Sequence, residues 1–140
     1  MKALDTNVIV RFLVKDDPTQ SEIVYRAFKQ AEAQNSLYWI PLLVVLETLW
    51  VLESVYEIRR DKILDALNGM ILLPVLRFEA QATIENFLAR ARESKIDLGD
   101  LLIASAAQQS GCEQVLTFDK KACRYDLFKP IESFLTSSSK

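Results

Sequence analysis

The sequence contains no histidine. That excludes imidazole acid–base catalysis and zinc held by histidine. Glycine occurs only as Gly69, Gly99 and Gly111, too far apart for a phosphate-cradling loop or a serine-hydrolase elbow. Two cysteines, Cys112 and Cys123, are too few for a disulfide scaffold or a four-thiolate zinc site, so an intracellular, reducing compartment, the cytoplasm, is expected. No apolar run reaches the roughly 18 residues that would cross a membrane. The N-terminus reaches Asp5 after one lysine, which does not suit a secretory signal. What is left for chemistry is carboxylates, hydroxyls, cationic side chains and a hard metal.

What is present is an apolar chain with acids set into it. Half of the 140 residues are hydrophobic, enough for one core that buries roughly two thirds of the unfolded surface. The net charge of −2 neither requires nor forbids a nucleic-acid partner. Basic residues are local: Arg59, Arg60 and Lys62; Arg90, Arg92 and Lys95; Lys120, Lys121 and Arg124. Separately these read as solvated helix faces, but converging on an acidic centre they would hold phosphates.

Strand and helix signals alternate along the chain. Residues 2–4 form an apolar strand ending at Asp5, followed by a helical turn over 8–14. Residues 16–19 read as a turn. Ile23, Val24, Ala27, Phe28 and Ala31 recur at helical spacing over 21–33. Residues 37–40 read as a strand, and Pro41 suits the start of a helix over 42–55 that is apolar almost all round. A short helix over 61–68 is expected to close at Gly69, and Pro74 marks an edge or strand end in the apolar run 71–75. A helix over 78–94 is expected to turn Ala82, Phe87, Leu88 and Ala91 inward. The helix that Asp97 and Asp100 open runs to about 110, with Gly111 as its stop. Strands at 114–117 and 128–131 flank a helical turn at 120–123. The alternation predicts an α/β fold with a parallel central sheet and helices on both faces. The predicted domain is 1–135, with a frayed polar tail at 136–140.

Singly, the acids have ordinary readings. Asp5 before Thr6 and Asn7 suits a helix cap, and Glu47 suits a residue facing water. Asp97 and Asp100 have the spacing of a cap and a first-turn acid, and Asp119 suits a turn. Four separated places with lone acids among aliphatics nevertheless suggest that the acids are gathered. Gathered carboxylates repel one another and take up protons unless a cation intervenes, and oxygen donors suit Mg²⁺ or Mn²⁺.

The order Leu4-Asp5-Thr6-Asn7, then Glu47 in an apolar helix, then Gly99-Asp100-Leu101-Leu102-Ile103-Ala104, then Thr117-Phe118-Asp119 resembles the PIN-domain family, in particular its VapC-type toxins. The resemblance covers nearly the whole chain and implies a single PIN-like domain. It implies a metal-dependent ribonuclease, homodimeric and held by a small cognate antitoxin. It places the catalytic acids at Asp5, Glu47, Asp100 and Asp119, with metal on Asp5, Asp100 and Asp119. Asp97 is an additional acid of less settled role, cap or ligand. Asn7 and Thr117 are polar companions, and Lys120 and Lys121, beside Asp119, are the first candidates for substrate phosphate. Two rivals stand beside this reading. A haloacid-dehalogenase-type phosphatase needs a second acid two residues after the first, where this chain has Asn7. A silent RNA-binding or adaptor module would not need all four acids.

Overall fold

Asp5 stops the first strand because its extended backbone (φ −95°, ψ 177°) and its carboxylate together start a helix. The carboxylate accepts from the Val8 N–H at 3.2 Å, satisfying one of the donors a helix leaves open at its N-terminus. A computed structural model describes residues 1–135 in this way, and the expected tail at 136–140 lies outside the described residues. The elements are α/β, and the chain divides into two compact units, Met1–Gln81 and the part from Ala82 onward.

In the first unit β1 (Lys2–Ala3), β2 (Tyr38–Ile40) and β3 (Leu76–Phe78) form a parallel sheet in the order β1-β2-β3. Ala3 pairs with Trp39, and Ile40 pairs with Phe78. Helix α1 (Thr6–Val14) follows β1, and α2 (Pro18–Ala33) leads to β2. After β2 come α3 (Leu42–Trp50), a π-turn over Val51–Val55 and α4 (Arg60–Ile71). Pro41 offers no side-chain cap to α3; Glu79 reaches across from beyond β3 and accepts from the Leu42 N–H at 2.8 Å. Ile9, Val10, Ile40, Val45, Leu49, Ile63 and Leu64 are core residues of this unit.

The second unit contains α5 (Gln81–Glu93), which begins at the boundary, and α6 (Leu98–Gln109). It also contains the parallel pair β4 (Val115–Thr117) and β5 (Phe128–Pro130), with 3-10 turns at Ala122–Arg124 and Ile131–Phe134. Ile84, Phe87, Leu98 and Leu101 are fully buried. Gly111 (φ +92°) ends α6 in the left-handed region that glycine occupies without strain.

Several sequence-based boundaries move. Pro18 and Thr19 belong to α2, because Asp17 caps it through the Gln20 N–H at 3.0 Å and Pro18 takes the first turn. Gly69 does not close α4; Met70, 2% exposed, pins the next turn into the core. Phe78 is strand, paired with Ile40, and α5 starts three residues later. On α5 the buried positions include Thr83 and Ile84 rather than the expected Ala82, which is exposed. Ile23, expected in the core, is 56% exposed.

Candidate functional site

In the second unit one cleft of about 530 Å³ gathers Asp97, Asp100 and Asp119. Each acid is placed by its own local fold. Asp97 is the N-cap of α6, and its carboxylate accepts from the Asp100 N–H at 3.1 Å. That cap sets the first turn, in which Asp100 stands half-buried. Asp119 follows β4; its N–H donates to the Thr117 hydroxyl at 3.0 Å. Its own Oδ1 accepts from the Lys121 N–H at 2.9 Å and the Ala122 N–H at 3.4 Å. Thr117 thus fixes the backbone that carries Asp119.

The electrostatics of this cleft centre on Asp100. Its carboxyl is pushed above the usual carboxylate range, chiefly because burial penalises the charged form. The charges of Asp97 and then Asp119 push it the same way. Hard divalent cations relieve such a conflict, and the donor chemistry of three carboxylates fits them. Among the described residues no three acids or thiols close up into a finished metal cage.

The remaining expected acids lie in the first unit. Asp5 lines a groove of about 370 Å³ with Asn7, Val8, Arg11, Gln20, Ile23 and Val24. The exposed position of Ile23 is explained by this placement on the groove wall. Glu47 is exposed on α3, and the buried Thr6 hydroxyl donates a hydrogen bond to its Oε1. Thr6 therefore ties Glu47 to the start of α1, next to Asp5. Reading the sequence for acids alone passes over Thr6, and the Asp-Thr-Asn order is the only signal for it. Of the two lysines singled out, Lys121 lines the acidic cleft and Lys120 does not. Arg124 and Tyr125 line it as well.

With strand–Asp, apolar-helix Glu, capped Asp and strand–Asp all in place, the family follows. The PIN domain family matches residues 2–127, a span that runs through both compact units, and the chain belongs to it. Within that family the chain is similar to a VapC ribonuclease from Aquifex aeolicus (strain VF5). The two are 22% identical over 121 residues, which make up 86% of this chain and 89% of the relative. No helix among the described residues is long and apolar enough to cross a membrane.

Proposed function

We propose that the protein is a Mg²⁺- or Mn²⁺-dependent endoribonuclease of the cytoplasm, the toxin of a VapBC-type toxin–antitoxin pair, with residues 1–135 as its functional domain. The observation that carries this is the cleft that gathers Asp97, Asp100 and Asp119, where burial first, then the charges of Asp97 and Asp119, push the Asp100 carboxyl up. Asp5, Asp100 and Asp119, with Asp97 as a candidate fourth donor, would hold the cation, whose chemistry there is to shield charge growing on phosphate oxygens and to acidify water. The residues of the chain do the rest. Glu47 orients the attacking water and takes its proton, and Thr6 fixes the carboxylate in the orientation this needs. Asn7 supports Asp5, and Thr117 supports Asp119. The test is cleavage of a fluorescent single-stranded RNA. Cutting with Mg²⁺ or Mn²⁺ and none in EDTA is expected; full activity in EDTA overturns the reading, and no cutting under any condition favours a silent RNA-binding module.

The proposal extends to partners. Leu43 and Trp50 on α3 and Val55 in the π-turn after it are 78%, 61% and 59% exposed, apolar surface that supports a homodimer. Exposed carboxylates suit an antitoxin that inserts an arginine or lysine in competition with the cation. Light scattering after gel filtration should give twice the chain mass alone and a larger, antitoxin-containing species on co-expression. A monomer at roughly tens of micromolar removes the dimer. If no small protein encoded beside its gene co-purifies with it or rescues growth, the toxin assignment fails.

A further inference from the structure

We propose that Lys121 and Arg124 form a two-cation clamp for one backbone phosphate of a single-stranded nucleic acid lying in the acidic cleft. The proposal rests on the nuclease reading above and names the substrate contacts of that same cleft.

The clamp begins with Asp119. By accepting from the N–H groups of Lys121 and Ala122, its carboxylate starts the 3-10 turn Ala122–Arg124. The turn is closed by the Arg124 N–H on the Lys121 carbonyl at 3.2 Å. A 3-10 turn has three residues per turn, so positions three apart eclipse one another on the same edge. Lys121 and Arg124 stand in that relation, and both line the cleft, as does Tyr125, where the chain becomes extended again. Lys120 is one position out of phase and lies off the cleft.

Two cations beside three acids would ordinarily be read as charge neutralisation. Yet no ion pair within 4.0 Å joins Lys121 or Arg124 to any acid among the described residues, although such pairs form elsewhere, as between Arg59 and Asp61 at 2.8 Å. The cations carry no carboxylate partner, and the acids of the cleft carry no cationic one. A phosphodiester bound with a divalent cation satisfies both sets at once. The phosphate oxygens take the guanidinium and ammonium donors, and the carboxylates face the metal side. Because the acid that starts the turn is also a candidate metal donor, ordering at Asp119 and placement of the clamp are one event in the fold.

The test compares Lys121→Gln, Arg124→Gln, their double variant and Arg124→Lys with Lys29→Gln. Lys29 pairs with Glu32 on α2, does not line the cleft, and serves as a charge-matched control. Two readouts are used: binding of a short fluorescent single-stranded RNA in EDTA against salt, and cleavage with Mn²⁺. Each clamp variant should lower the slope of log K against log salt by about 0.7, the single-strand value for one lost phosphate contact. Each should raise KM by about tenfold with kcat largely kept, and Arg124→Lys should recover most of the slope. A double variant with the parent's salt slope and KM, an equal loss in Lys29→Gln, or a parent protein that binds no RNA in EDTA each overturns the clamp. If the parent binds RNA with the expected slope change but never cuts it, the nuclease reading fails and the clamp stands.

Discussion

Asp100→Asn is expected to reduce RNA cleavage about a thousandfold or more, because metal-site acids act as one unit and losing one forfeits nearly the whole effect. Asp5→Asn, Glu47→Gln and Asp119→Asn should each cost about as much, and pairs of these changes little more. Stability should move the other way. Burial, then Asp97 and Asp119, raise the Asp100 carboxyl above its unfolded value. The folded protein therefore binds that proton more tightly than the unfolded chain does. Stability from this group is complete below the unfolded carboxylate range, around pH 4, and is lost as pH rises through the higher folded value. Asn imitates the protonated form, so the variant should melt at or above the parent temperature near pH 7 in EDTA, with the gap closing in acid. Mn²⁺ should raise the melting temperature of the parent and not of Asp100→Asn. Asp97→Asn is the control: Asn accepts from the Asp100 N–H almost as well as Asp, so a capping role leaves most activity intact. A melt of Asp100→Asn well below the parent near neutral pH would refute the electrostatic account. An undiminished cleavage rate would refute the site.

Phe87→Ala should be the most destabilising single truncation. Phe87 is the largest of the fully buried side chains among the described residues and is 0% exposed on α5. Removing a ring from such a position costs about 3–5 kcal/mol, through lost transfer energy and the cavity left behind. Against a total stability of roughly 5–15 kcal/mol, that should lower the melting temperature by roughly 10 °C or more. Phe87→Leu should recover part of the loss. Since Phe87 does not line the acidic cleft, cleavage by the folded fraction should persist in the cold, unlike Asp100→Asn. A melting temperature within about 3 °C of the parent would show that the second unit relaxes around the gap.

The sequence made the second-unit acids readable because their cues are local. A cap acid, a first-turn acid, a helical run and Gly111 define α6 within one stretch, and Asp119 follows its strand directly. Where tertiary contacts decide, reading failed. Gly69 looked like a stop, but the burial of Met70 carries α4 past it. Phe78 sat at helical spacing from Ala82, but its pairing with Ile40 makes it strand. Ile23 fell in phase with the buried face of α2, but it lines the groove beside Asp5. Arg124 was visible only as part of a basic group, since its relation to Lys121 depends on a turn with three residues rather than 3.6. Nor did any strand signal announce that the strands of the described residues would divide into one set of three and one of two. Thr6 was passed over for a related reason: its partner Glu47 lies 41 residues away.

The π-turn after α3 makes length itself a specified property. The Tyr56 N–H reaches back five residues to the Val51 carbonyl at 3.2 Å, one residue further than an α-helix allows. Beyond the turn, the Tyr56 hydroxyl accepts from Arg11 at 3.3 Å and donates to Asp16 at 2.9 Å, fastening this segment to α1 and the loop after it. In effect the chain carries a one-residue insertion within a helix. Deleting any residue of 51–55 lets the turn tighten to α geometry and swings Tyr56 by about 100° around the axis, away from Arg11 and Asp16. Substitutions along the exposed face of this segment leave that phase untouched, so this stretch should accept a change of residue where it does not accept a change of count.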